Sequence, residues 1–316
     1  MRRRRASRAV CPFPHPNCIT TCPVCAYTVI ESYSERMIPV PDKLHFTVAG
    51  GDNRLRYTAE SLRERGFSVS RTKADADENF ENTDVLILPV PLSRNGADVF
   101  APQADNPIAV ARLAGALPCT ARVFCGMPGQ NAEPFFRRGI RLYDYAAREE
   151  FAVRNALPTA EGVAQILLQS LPVTVRGATV LITGYGRTAR ACARLLSAMG
   201  AHVTVAARRC SALAFADTDG YRSLYLRELP RFMHEMDAVV NTVPATVLTY
   251  DVLREMRRDC PVIEIASAPY GTDLDAAEAL GVHVQIAPSL PGKAAPKTAG
   301  VILADTVLNI LREGNE

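Results

Sequence analysis

The residues whose types and spacing most sharply imply chemistry are Gly184-Tyr185-Gly186-Arg187-Thr188-Ala189. They fit G-x-G-x-x-[G/A] in the context where that pattern carries meaning: after an apolar β-rich run, TVLIT at 179–183, and at the opening of a helix-like stretch. Gly184 permits a tight turn, Gly186 lets backbone approach a pyrophosphate, and Ala189 lets helix and strand pack closely. The helix N-terminus then offers N–H groups and a positive dipole end to phosphate oxygens. Tyr185, Arg187 and Thr188 share the loop. This predicts a dinucleotide site. The choice of dinucleotide falls to the end of the next strand, Ala206-Ala207-Arg208-Arg209. A carboxylate there would hold the ribose diol of NAD. None is present, and Arg208 or Arg209 can pair with a 2′-phosphate, so NADP is expected, with NAD as the alternative. Ligands in such folds lie beyond the carboxyl ends of the strands. Thr242, Val243 and Pro244, then Ala266 and Ser267, then Pro288 follow later strands and are expected to wall the nicotinamide side.

The elements that must position these residues come in two series. Apolar runs at 44–50, 67–71, 84–90, 122–126 and 140–145 alternate with amphipathic stretches such as 54–65, which closes on Gly66. A second series has runs at 179–183, 202–207, 237–243, 261–267 and 283–288, with a helix over 187–200. Alternating strands and helices imply βαβ units. The expected fold is α/β, with two Rossmann-like, doubly wound parallel-sheet domains and a cleft between them. The expected division is a substrate-side domain at 43–150 and a dinucleotide-binding domain at 151–297. A closing helix over 298–313 has a broad apolar stripe and is expected to complete the first domain. A bridging helix is expected over 157–171, with Pro158 in its first turn, where a missing N–H costs nothing.

Residues 1–42 do not read as a domain. They hold an arginine run, the prolines Pro12, Pro14, Pro16 and Pro23, and Cys11, Cys18, Cys22 and Cys25, without periodicity. They are expected to be an extension, or the product of a start placed upstream of Met37. The C-x2-C spacing lacks a second distant knuckle, so no metal site is expected. Six arginines against two glutamates put +4 in the first 36 residues, which leaves −1 for the rest of a chain of net +3. A near-neutral body excludes a nucleic-acid footprint. No apolar run reaches the roughly 18 residues of a membrane span. A cytoplasmic protein is expected, with symmetric self-association on general grounds.

The sequence resembles the family of A-type subunits of dipicolinate synthase, a bacterial spore-formation enzyme. The resemblance rests on GGDNR at 50–54, ILPVPLSRNG at 87–96, NALPTAEG at 155–162, GYGRTA at 184–189, NTVPA at 241–245, ASAPYGTD at 266–273 and PSLPGKAAPKTAG at 288–300. It covers about residues 43–313. It implies oxidation of a dihydropyridine dicarboxylate to pyridine-2,6-dicarboxylate in a sporulating mother cell, with the flavoprotein-like B-type subunit of the same synthase as partner. Such a step needs orientation and cations for two carboxylates more than a strong nucleophile. Ser93, Arg94, Asn155 and Thr159 are the expected substrate contacts. Arg94 and Lys293 are assigned to the carboxylates and Glu161 to proton transfer, and Lys297 could touch cofactor phosphate. Thr159 and Glu161 are placed at the bridging helix N-terminus, and Lys293 and Lys297 in a loop before the last helix. A D-2-hydroxyacid dehydrogenase is the alternative, but it needs a histidine shortly before the last helix. His283, at the start of a strand, lies at the wrong end. A scaffold protein inactive without its partner is the other alternative.

Overall fold

The computed structural model describes residues 44–314. The expectations for residues 1–42, including the extension and its cysteines, lie outside the described residues. In chain order the first half runs β1 (His45–Ala49), α1 (Asn53–Glu64), β2 (Ser68–Thr72), β3 (Val85–Ile87), α2 (Val110–Ala116), β4 (Arg122–Cys125), α3 (Glu133–Arg137) and β5 (Arg141–Asp144). These strands form one parallel sheet in the order β2-β1-β3-β4-β5. The order reverses between β1 and β3, and that is the switch point at which such sheets open a crevice.

A long helix, α4 (Glu149–Ser170), leads into β6 (Thr179–Thr183), α5 (Arg187–Ala198), β7 (His202–Ala207), α6 (Cys210–Thr218), β8 (Arg222–Tyr225) and α7 (Leu229–Phe232). Then come β9 (Ala238–Asn241), α8 (Tyr250–Leu253), β10 (Val262–Glu264), α9 (Leu274–Leu280), β11 (Val284–Ile286), α10 (Leu290–Ala294) and α11 (Pro296–Glu313). The second sheet is also parallel, in the order β11-β10-β9-β6-β7-β8. This is the six-stranded Rossmann arrangement, with its crevice beyond β6 and β9. The two sheets, each flanked by helices, are the two Rossmann-like domains that the periodicity predicts.

Period-two alternation builds the core of the second sheet. Val180 and Ile182 of β6 face the side covered by α4 and α5, with Val163, Leu167, Cys192 and Leu196. Leu181 faces the opposite side, with Leu229, Met233, Val239 and Val262. Both faces are buried, which is why the central strands read as continuous apolar runs.

The elements depart from expectation where α10 replaces a loop, and at two further places. The bridging helix begins eight residues earlier than expected, at Glu149, so Pro158 lies inside it. Glu149 and Glu150 occupy the first turn, where carboxylates suit the helix dipole. An interior proline costs about 3 kcal/mol in lost hydrogen bond and clash. Here Pro158 is buried, and Phe151, Ala156, Ala160 and Val163 of the same helix are buried with it, which offsets that cost. The other difference is β8, an edge strand that the apolar runs do not mark.

Candidate functional site

The fingerprint folds as its residue types require. β6 ends at Thr183, and Gly184 turns the chain at φ +81°. A Cβ on Gly184 would stand 2.8 Å from Thr242 Oγ1 and 2.9 Å from a Val243 methyl. Three residues expected at the cofactor therefore meet directly. Gly186 caps α5, and a Cβ there would meet no protein atom within 4 Å. Ala189 is fully buried. The site thus fits a pyrophosphate: a close-approach glycine on open space, followed by a 12-residue helix aimed at it. Tyr185 is buried and donates to Asp219 Oδ2 at 2.6 Å. Burial, then that bond and the nearby charge, push its hydroxyl pKa up. The Arg187 side chain turns to Glu149 Oε2 at 2.6 Å.

Arg208 and Arg209 are exposed just beyond β7, and Arg209 caps α6. Neither pairs with a carboxylate among the described residues. The unexpected strand β8 adds a neighbour there, because Tyr225 lies in register beside Ala207. The Arg227 guanidinium rests 4.5 Å from the Tyr225 ring centre, a third cation near the same strand end. The alternation of aromatic residues and arginine after Tyr221 is the sequence signal that could have found it.

The substrate-side residues are partly brought together. Asp52 caps α1 through the Arg54 N–H at 3.0 Å, and its carboxylate is gripped by the Arg54 side chain at 2.8–3.1 Å. Burial alone would raise the Asp52 pKa. Arg54, with a contribution from Arg94, outweighs that and holds it below the usual carboxylate range. Arg94 itself is exposed beyond β3 and stacks 3.9 Å from the Phe100 ring centre. Gly292 of α10 comes against the same pair, since a Cβ there would be 2.8 Å from Asp52 Oδ2 and 3.1 Å from Arg54 Nε. Lys293 is the next residue. The start of α1, the loop after β3 and α10 therefore meet at one place, where Arg94 acts on the Asp52 charge and Gly292 abuts the pair. Spacing alone assigns no role to Asp52 and Arg54.

Other residues are placed differently. Thr159 and Glu161 are not at a helix N-terminus but in the middle of α4, so no orphan N–H groups surround them. Thr159 Oγ1 instead donates to the Asn155 carbonyl at 2.8 Å, and Glu161 is exposed. Asn155 Oδ1 is buried with no hydrogen-bond partner. Lys293 lies on α10 and Lys297 in the first turn of α11, not in a loop. Ser93 Oγ donates to Asn95 Oδ1 at 3.1 Å within its own turn. Pro244 follows β9, Ala266 and Ser267 follow β10, and Pro288 follows β11, all at carboxyl ends. His45 and His202 begin their strands and His283 precedes β11, so all three sit at amino ends, away from the crevice. His234 lies in the turn after α7. No described histidine takes the place that a hydroxyacid dehydrogenase needs.

These features define a Rossmann-type oxidoreductase that uses a nicotinamide dinucleotide. Residues 153–269 match the family model for the NAD-binding domain of D-isomer specific 2-hydroxyacid dehydrogenases. Residues 45–146 match the model for the N-terminal domain of the dipicolinate synthase A-type subunits. The A-type dipicolinate synthase subunit of Bacillus subtilis (strain 168) is 31% identical over 290 residues, 85% of this chain and 96% of its own. The chain belongs to the family of A-type dipicolinate synthase subunits. Crystal structures agree. The corresponding dipicolinate synthase protein from Bacillus halodurans superposes with a TM-score of 0.77 at 29% identity, covering 85% of this chain and 97% of that one. The one from B. subtilis gives 0.76 at 29%, covering 89% and 99%. A transhydrogenase from Sinorhizobium meliloti shares the fold, with a TM-score of 0.64 at 14% identity over 85% of this chain and 94% of that one.

Proposed function

We propose that the chain oxidises dihydrodipicolinate to dipicolinate with NADP⁺, as the dinucleotide-binding member of a pair with a flavoprotein-like B-type subunit. The observation that carries the reading is the approach of Arg94, and of α10 at Gly292, to the Asp52–Arg54 pair at the crevice, with Lys293 next in sequence on α10. Two cations beside a neutralised, fixed ion pair suit a small planar dicarboxylate. The bound dinucleotide supplies a hydride acceptor. The ring C–H gives up a hydride, a proton leaves to solvent, and the product ring becomes aromatic.

The chain's own residues orient rather than attack. Arg94 and Lys293 hold the carboxylates. The buried, unpartnered Asn155 Oδ1 is an acceptor suited to a ring N–H or hydroxyl of the substrate. Glu161 is set aside as the proton acceptor, because the helix end that recommended it lies twelve residues away. NADP is favoured by Arg208 and Arg209, with no carboxylate in the ribose position.

The test is calorimetric titration with NADPH and NADH, followed by a dihydrodipicolinate oxidation assay with and without the partner. NADPH is expected to bind more tightly, and Arg208→Asp or Arg209→Asp to weaken it roughly tenfold or more, the scale of a lost charged hydrogen bond. NADH binding should barely move. Arg94→Ala and Lys293→Ala should each raise the KM for the dicarboxylate and leave dinucleotide affinity unchanged. An equal preference for the two dinucleotides would defeat the NADP reading, and an unchanged KM would defeat the carboxylate assignment.

A further inference from the structure

Beyond the strand ends already described lies a charged group that the reaction does not use. Glu264, the last residue of β10, has no exposed surface. No basic side chain pairs with it among the described residues. Its two oxygens instead accept from Asn241 Nδ2 at 2.7 and 2.8 Å, Ala266 N at 3.0 Å, Gly271 N at 3.2 Å, Thr272 N at 3.0 Å and Thr272 Oγ1 at 2.7 Å. Every partner is a donor, so the site is built around an acceptor-only carboxylate.

The donors come from two loops. Asn241 ends β9 and opens the loop to Pro244, while Ala266, Gly271 and Thr272 belong to the loop after β10. The row continues sideways, because Thr183, Asn241 and Glu264 lie in register across β6, β9 and β10. Thr183 Oγ1 donates to Asn241 Oδ1, and Asn241 Nδ2 also reaches the Val243 carbonyl at 3.0 Å. Gly271 packs so closely on Asn241 and Val243 that a Cβ there would overlap both. One buried carboxylate thus ties together the glycine turn, the 242–245 loop and the 266–272 loop.

We infer that Glu264 is a positioning residue for the nicotinamide half of the cofactor. It touches no ligand, and acts by fixing the two loops beyond β9 and β10, the half of a Rossmann sheet opposite the adenosine half at β6 to β8. The inference rests on the dinucleotide reading but not on the preference for NADP. Glutamine in its place has one amide nitrogen, and in either orientation that nitrogen faces Asn241 Nδ2 and at least one backbone N–H. Unpaired donors in a dry site push the loops apart.

The experiment compares a whole dinucleotide with a fragment lacking nicotinamide: NADPH against ADP-ribose 2′-phosphate, with NADH and ADP-ribose run alongside. Glu264→Gln should weaken the dinucleotides about tenfold or more, as for loss of charged hydrogen bonds, and leave the fragments within about twofold. Thr272→Val removes a single donor, and it carries the same test with a smaller, about threefold, effect should Glu264→Gln fail to fold. Equal losses for dinucleotide and fragment would reduce Glu264 to general scaffolding and overturn the inference, as would no loss for either. A wild-type chain that binds the fragments no more weakly than the dinucleotides would defeat the nicotinamide placement itself, before any variant is read.

Discussion

Replacing Gly184 by alanine should abolish measurable dinucleotide binding and lower stability by about 2–4 kcal/mol, the range of a strained backbone plus a steric conflict. Two independent costs act at that position. The backbone sits at φ +81°, a region that L-residues with a Cβ occupy at a cost of about 1–2 kcal/mol. The added Cβ also stands 2.8 Å from Thr242 Oγ1. That hydroxyl cannot swing away freely, since it donates to the Thr183 carbonyl at 2.7 Å. The turn must therefore open, and with it the start of α5. Gly186→Ala is the matched control. Gly186 has φ −83°, and its Cβ would meet nothing in the protein. Thermal unfolding should hardly change, because a cap position outside the helix interior accepts alanine at a cost of a few tenths of a kcal/mol. Calorimetric affinity should still fall sharply, because the new methyl stands where the pyrophosphate approaches. If Gly186→Ala binds NADPH like the wild type, the loop is a structural turn and the phosphate sits elsewhere.

The contrast between these two glycines is legible in the spacing alone, and so are the strands beside them. Parallel strands buried on both faces read as unbroken apolar runs, as in TVLIT and HVTVAA. What escapes does so for definable reasons. β8 is an edge strand, RSLY, whose exposed arginine and half-buried serine break the apolar signal. Local rules cut α4 short because Pro158 fits a first helical turn, whereas packing of its neighbours decides the matter. That misplacement carries Thr159 and Glu161 to a helix end they do not occupy. Glu264 hides inside the apolar run PVIEIAS, although a lone carboxylate in a buried strand is itself the signal. Asp52 and Arg54 are two residues apart, too close for the sequence to show that one fixes the other. Local rules suffice to propose a phosphate cradle, because its residues lie within six consecutive positions. They say less of the proposed substrate side, whose residues come from the loop after β3, the start of α1, α4 and α10, far apart in the chain.

That assembly makes Arg54 the second sensitive point, although its expected effect is on stability first. The side chain is almost wholly buried, and it holds Asp52 through Nε and Nη2 while Nη2 also reaches the Val90 carbonyl at 3.2 Å. Arg54→Ala leaves a half-buried carboxylate with one backbone N–H and leaves the Val90 carbonyl without this donor. Breaking a fully buried pair costs about 3–5 kcal/mol, and the partial exposure of Asp52 brings the expectation down to about 2–3 kcal/mol. The pH dependence separates charge from packing. In the wild type the Asp52 pKa is depressed on folding, so its contribution is fully present above the unfolded value and is lost as pH falls through the folded one. In Arg54→Ala the compensating cation is gone and burial dominates, so the folded pKa rises and protonation relieves the structure. Acid should therefore cost the wild type stability that the variant no longer has to lose. Urea unfolding at neutral pH, at about pH 5 and near pH 3.5 is expected to show the two curves converging as pH falls. A deficit constant across that range would mean that Arg54 matters for the volume it fills, and that the ion pair at the crevice contributes little to holding α1 against α10.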